Sequence, residues 1–398
     1  MTLLACLCTN AAVGCARCGQ TGEAALREFA AATPQATSGQ VMERAIAAGR
    51  ADVVLGLLER GGLDVNAPCD PARADSVSPF ATALRACQPK ITALIAARPT
   101  FARDASMPSH GRWDWARSCG VDVVREYLSL PGTSAGEADG NGETLLHQVV
   151  RSPDDGGKLA VILTQPGVAI DRADAAGLTP LLAAAGAGRA DAVAALLDRG
   201  ADPGHRGPAG LTALLIAATE GHAAVVERLA ARGGINAVDE FGSTALHAAA
   251  WAGHASVIAI LLAAPGIDVN LRDQRGLTGL ARAAVAGHFD VIRLLLARAD
   301  VAVNRVDLDR RTPLWWAAAG RHAAAAALLA DDPRSNAAIT DQPAHRSARA
   351  VAAEAGLSDV IQRLDRRPAG GDVLDPGDPY VERVIPPPPF SDTPSTPH

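Results

Sequence analysis

The chain has 398 residues, 48% apolar but only 3% aromatic, with 85 alanines and two lysines (Lys90, Lys158) against 35 arginines. Burial capacity with so few rings points to many small, closely packed helices. A net charge of −6 gives no electrostatic case for a nucleic-acid or acidic-lipid partner, and the run of about 18 apolar residues needed to span a membrane is absent.

Residues 1–38 are set apart by cysteines. The start, MTLLACLCTN, lacks the basic n-region of an export signal. Cys6, Cys8, Cys15 and Cys18 give C-x-C-x6-C-x2-C, four of the seven cysteines in the chain. Thiolates at this density suit a tetrahedral zinc or acylation beside an apolar start; the remaining reading is a disordered tail of reduced thiols. A zinc ribbon pairs two C-x-x-C knuckles across a longer loop, which this spacing lacks. Cysteines without an export signal set the expectation of a reducing, cytoplasmic compartment. Cys69, Cys87 and Cys119 read as core or loop residues.

From residue 39 to 366 one pattern recurs. G-L-T-P-L-L-A-A-A at Thr179 returns as G-L-T-A-L-L-I-A-A at Thr212, G-S-T-A-L-H-A-A-A at Thr244, G-L-T-G-L-A-R-A-A at Thr278 and R-R-T-P-L-W-W-A-A at Thr312, at spacings of 33, 32, 34 and 34. A period near 33 marks a solenoid whose units cannot bury their apolar faces alone. Thr144 carries a further copy, and weaker ones are anchored at Gln40, Ser78, Gly111 and Ser347, for about nine to ten repeats with the first three degenerate. Five residues after each anchor stand Ala45, Ala83, Ala116, Val149, Ala184, Ala217, Ala249, Ala283, Ala317 and Ala352. Leucines follow 16 to 18 residues after most anchors, among them Leu57, Leu128, Leu229, Leu261 and Leu295.

Each unit reads as two short helices. The threonine is an N-cap, with Pro180 and Pro313 at the first helical position. Gly188, Gly221, Gly253, Gly287 and Gly356 end the first helix in a left-handed turn. A second helix such as 255–263 places Val257, Ile258, Leu261 and Leu262 on one face. Asn66, Asn236, Asn270 or Asn304 closes the return segment, and D-x-x-G at Asp174, Asp239 and Asp273 turns the chain into the next repeat.

This pattern, T-[PA]-L-H-x-A-A-x-x-G-H with V-N before D-x-x-G, resembles the ankyrin-repeat family over about 325 of the 398 residues. The resemblance implies an all-α ankyrin-repeat solenoid of antiparallel helix pairs with projecting hairpin loops, flanked by disordered N- and C-terminal tails. Departures are Cys87 in a glycine slot, an insertion at 152–157, and Arg321 in the glycine slot after Thr312. The units at Gln40 and Ser347 read as end caps.

Catalytic chemistry is sparse, and no enzyme or cofactor is expected. H-E-x-x-H, G-x-S-x-G, a Walker A loop and G-x-G-x-x-G are all missing. Six of the ten histidines are absorbed by the repeat: His147 and His247 in the T-x-L-H slot, His222, His254, His288 and His322 after the turn. The family implies structural hydrogen bonds for them.

Interaction is the expected function. In ankyrin arrays the concave slots flank the hairpin and the end of the first helix, which here hold Glu240, Phe241 and Trp251, Gln274, Arg275 and Val285, and Asp309 and Arg311. Trp251 is the lead, since tryptophan and arginine are the usual interface anchors. The competing reading stacks Trp251 on Trp315 or Trp316, of which Trp315 holds the histidine slot and Trp316 a core slot. The partner expected is an unidentified protein, bound by a monomeric scaffold. The alternative is an adaptor or host-delivered effector whose cysteine segment is a second module. Residues 367–398 carry nine prolines, including Pro386 to Pro389, and read as an extended disordered tail or a polyproline ligand.

Overall fold

The computed structural model describes residues 16–32, 35–73, 76–102, 107, 112–152 and 157–366. Among the described residues are 21 α-helices, and extended pairing is limited to two isolated bridges, Ala138 to Thr144 and Thr340 to Ser347. The chain divides into two compact units, one reaching Glu240 and including Ala263–Ile267, the other formed by Phe241–Leu262 and the chain from Asp268. Each displays the all-α solenoid arrangement that the repeats imply.

In the first unit α1 (Ala16–Ala31) precedes six helix pairs: α2 (Ser38–Ala47) with α3 (Ala51–Arg60), α4 (Pro79–Arg85) with α5 (Pro89–Ala96), α6 (Trp115–Ser118) with α7 (Val121–Ser129), α8 (Leu145–Arg151) with α9 (Gly157–Leu163), α10 (Pro180–Gly186) with α11 (Ala190–Asp198), and α12 (Ala213–Glu220) with α13 (Ala223–Ala230). The leading helices α8, α10 and α12 pack side by side, and so do the trailing helices α3, α5, α7 and α9. In the second unit four pairs follow the same rule: α14 (Ala245–Ala252) with α15 (Ala255–Ala263), α16 (Gly279–Ala286) with α17 (Phe289–Leu296), α18 (Pro313–Ala319) with α19 (Ala323–Asp331), and α20 (Ala348–Glu354) with α21 (Ser358–Asp365). Here α14, α16, α18 and α20 stack in order, as do α17, α19 and α21.

The alanines explain the stacking. Ala217, Ala249, Ala283, Ala317 and Ala352 are wholly buried, so adjacent leading helices approach without side chains between their backbones. Trailing helices supply the larger apolar volume: Val257, Ile258, Leu261, Val291, Ile292 and Leu295 are also wholly buried, each contributing roughly 1.5–3 kcal/mol of transfer free energy. Thr278 Oγ1 accepts from Ala281 N at 3.3 Å and Thr312 Oγ1 from Trp315 N at 3.2 Å, satisfying an amide left unpaired at each helix start.

The histidines are structural hydrogen-bond partners, as the family implies. His247 Nδ1 accepts from Thr244 N at 3.2 Å while its Nε2 lies 2.9 Å from Leu277 O; His147 repeats this with Thr144 and Leu178. His222 and His322 reach back to Gly186 O and Val285 O at 3.1 and 3.0 Å. Asn270 joins successive return segments, donating to Asp300 O at 2.7 Å and accepting from Ala302 N at 2.8 Å.

Four expectations need correction in the degenerate part. Residues 16–31 are not a tail: α1 packs on α3 and buries Leu26. The helix carrying Gln40 starts a turn earlier than its anchor, because Thr37 caps it in a reciprocal box with Gln40 (Gln40 N to Thr37 Oγ1 3.2 Å, Thr37 N to Gln40 Oε1 3.1 Å). The register set at Gly111 is one residue late. Trp115 and Ala116 are the buried pair of α6, and Tyr127 rather than Leu128 fills the leucine slot, wholly buried against Trp113 and Trp115. Finally, Cys87 and Cys119 are not separate thiols. They form a disulfide with Cα atoms 5.1 Å apart, joining the turn after α4 to the turn after α6. Cys87 takes the left-handed conformation (φ 56°) of the glycine it replaces, as Arg321 does (φ 57°). The one-turn α6 is also held by Lys158, whose buried ammonium donates to Ala116 O at 3.1 Å. Cys69 is a free, buried thiol whose pKa burial pushes up to about 11.

Candidate interaction surface

In the second unit the leading helices and the hairpins before them present one row of side chains. The hairpin tips are zipped by backbone bonds: Gln274 N donates to Phe241 O at 3.0 Å, Leu308 N to Arg275 O at 3.2 Å, and Gln342 N to Asp309 O at 2.9 Å. Each turn is built around its aspartate. Asp273 Oδ1 accepts from the Arg275 and Leu277 amides, both at 2.9 Å, and Asp307 Oδ1 from those of Asp309 and Arg311 at 3.0 and 2.8 Å.

The second oxygen of each aspartate holds a guanidinium. Asp273 Oδ2 binds Arg282 Nε at 2.7 Å, Asp307 Oδ2 binds Arg311 Nε at 3.0 Å, and Asp341 Oδ2 binds Arg346 Nη2 at 3.2 Å. The three carboxylates are 0–4% exposed, the three arginines 21, 24 and 40%, so solvent meets the cationic member of each pair. Burial pushes the Asp307 carboxyl above its ordinary pKa, opposed by the Arg311 amide and charge and by the Trp316 indole, whose Nε1 donates to Oδ2 at 3.0 Å. Burial likewise holds His247 below the usual histidine pKa, with the Asp273 charge acting in opposition.

Trp251 lies at the end of α14, half exposed, with the Arg282 guanidinium 5.7 Å from its ring centre. It does not stack on Trp315 or Trp316; those rings pair with each other edge to face at 5.3 Å. Trp316 does not take the core place expected of it: Trp315, in the histidine slot, is buried, whereas Trp316 is half-buried with Arg311 stacked 4.4 Å from its ring. The fourth position after the threonine faces the row rather than the core, as Ala248, Arg282 and Trp316 show. Arg282 and Trp316 are therefore surface residues that the repeat pattern does not single out; the variation at that one position among otherwise constant repeats is the signal that marks them.

Phe241, Gln274, Arg275 and Asp309 are exposed at hairpin tips, beside Leu308, which is also exposed. Arg311 is half-buried over the tryptophans and also meets Asp309. Val285 is half-buried, with its carbonyl taken by His322. Glu240, in the first unit, is exposed, its amide bonded to Ala209 O at 3.0 Å. Behind Trp251 the backbone is fixed: its carbonyl lies 2.9 Å from His288 Nε2, and Gly253 follows in the left-handed conformation (φ 79°). A Cβ at Gly253 would stand 2.6 Å from the His288 ring, so glycine is required both for the turn and for that close approach.

Among the described residues no group of three or more His, Cys, Asp or Glu side chains is arranged to hold a metal ion. Cys6, Cys8 and Cys15 lie outside the described residues, as does the side chain of Cys18 in α1. No helix among the described residues is long and apolar enough to cross a membrane.

Comparison with known families agrees with the geometry. A model of three ankyrin-repeat copies matches residues 201–273 and 262–343, and a single ankyrin-repeat model matches 176–208. No curated protein matches the chain.

Proposed function

The chain is an ankyrin-repeat protein, and from that premise we propose that it is a binding scaffold whose partner protein lies against the leading helices and hairpin tips of the second unit. Ankyrin repeats are protein-interaction modules; the particular face is our reading. The observation that carries it is Trp251, half exposed beneath Arg282, with Phe241 and Leu308 exposed at neighbouring tips. Large apolar side chains held rigidly beside half-exposed guanidinium groups have the composition of interface anchors. A mixed surface of this kind suits a partner that brings both an apolar side chain and hydrogen-bond acceptors.

The test is capture of partners by the full chain, Trp251→Ala, Arg275→Ala and Phe289→Ala. Phe289 is exposed on trailing helix α17 and serves as control. Loss of an anchor of about 2 kcal/mol weakens binding about 30-fold, so the Trp251 variant is expected to lose its partner while the Phe289 variant retains it. All variants should keep their helical signal. Equal capture by the Trp251 and unaltered chains would reject this face.

A further inference from the structure

The three arginines of the row recur once per repeat, each anchored on the corresponding turn aspartate: Arg282 on Asp273, Arg311 on Asp307, Arg346 on Asp341. Packed helices stand roughly 8–10 Å apart, and a polyproline II segment, with three residues per turn and a rise of about 3.1 Å per residue, returns every third side chain to the same face after about 9 Å. An extended segment with a carboxylate at every third residue would thus meet one guanidinium per repeat. The chain contains such a segment. In D-V-L-D-P-G-D-P-Y the acids Asp372, Asp375 and Asp378 are spaced three apart, with Pro379 and Tyr380 immediately after.

The geometry points to residues 372–380 of this same chain as an occupant of the row, running back along it from the last repeat. In this arrangement Asp372 meets Arg346, Asp375 meets Arg311 and Asp378 meets Arg282. Pro379 and Tyr380 then reach Trp251, whose ring centre lies 5.7 Å from the Arg282 guanidinium and whose indole offers the flat apolar surface on which proline and tyrosine rings settle. The inference rests on reading this face as the interaction surface.

Reach and charge both permit it. Helix α21 ends at Asp365, and the link from Arg366 to Asp372 can extend about 20 Å. A guanidinium carries five donors, and the buried aspartates engage only part of each. Rim acids must yield: Glu354 lies 3.3 Å from Arg346 Nη1, and Asp309 touches Arg311. They are 58 and 55% exposed, and exposed pairs of this kind are weak. Occupied in this way, the face would be masked from partners, and a partner would have to displace the segment.

Amide hydrogen exchange on the full chain at low salt tests this, comparing the unaltered protein with Asp372→Asn/Asp375→Asn/Asp378→Asn. Docking is expected to slow exchange within 372–382 by about tenfold or more relative to an unstructured peptide. The triple variant, altered only beyond the last helix, should return to the unstructured rate, as should the unaltered chain in about 1 M salt. Unstructured exchange in the unaltered chain overturns the inference, and so does equal slowing in the triple variant. Slowing that disappears on dilution, with a dimeric mass before dilution, overturns docking within one chain. A segment that exchanges freely while capture still depends on Trp251 removes this inference and leaves the proposed function standing. A protected segment in a chain whose capture ignores Trp251 and Arg275 does the reverse.

Discussion

Gly253→Ala probes the junction that fixes Trp251. An alanine there must adopt φ near 79°, which costs an L-residue roughly 1–2 kcal/mol. Its Cβ would lie 2.6 Å from the His288 ring, and the ring must move, giving up its contact with Trp251 O at 2.9 Å. A hydrogen bond of this kind contributes about 0.5–1.5 kcal/mol net, so the expected total loss is about 2–3 kcal/mol. Gly266→Ala supplies the reference. Gly266 has nearly the same backbone (φ 76°) but nothing within 4 Å of an added Cβ, so it should lose only the conformational part. Urea unfolding followed by far-ultraviolet circular dichroism measures both. In the Gly253→Ala/His288→Ala double variant the costs should be less than additive, because the second substitution removes the obstructing ring. Equal losses at Gly253 and Gly266, with full additivity, would refute the role given to His288.

Reduction of Cys87–Cys119 opens a loop spanning 32 positions, and the loop-entropy relation gives a loss of about 3.5–4 kcal/mol for that length. Dithiothreitol, or Cys87→Ser, should lower the melting temperature of the first unit, and alkylation before and after reduction should differ by two thiols. Burial holds His147 and His247 below the ordinary histidine value of 6.5; the folded state therefore disfavours protonation. Their contribution is complete above pH 6.5 and is lost as pH falls through the lowered values, so stability should decline on acidification in that range. His247→Gln keeps a side-chain acceptor at the third helical position, and its urea midpoint should vary less with pH than that of the unaltered chain.

The repeats from Thr144 onward were legible because one physical requirement recurs at each position: a hydroxyl to cap, an alanine where two backbones meet, a glycine where φ is positive. At Thr278 and Gly287 all three agree with the structure. The earlier repeats replace those residues by different solutions. Cys87 covers the glycine slot while bonded to Cys119, and Lys158 secures the end of α6, connections across 32 and 42 positions that a 33-residue pattern does not encode. The one-residue shift near Gly111 reflects aromatic residues in the repeat's apolar slots: Trp115 and Tyr127, not Ala116 and Leu128, fill the alanine and leucine positions. On the surface, exposure of Trp251 could be read from its slot. The roles of Arg282 and Trp316 are not read from theirs, because the repeat pattern marks that position only as variable and does not say which way it faces. A helix residue four after the cap returns to the side of the turn aspartate, which is why Arg282 reaches Asp273 and Trp316 reaches Asp307.

The central claim is that a partner protein contacts the leading-helix and hairpin row of the second unit. Amide exchange of the full chain, with and without the partner recovered by capture, tests it most directly. Partner-dependent slowing is expected in peptides covering 239–252, 272–286 and 307–317. Slowing confined to the trailing helices 255–263 and 289–296, with the row unchanged, would contradict the claim.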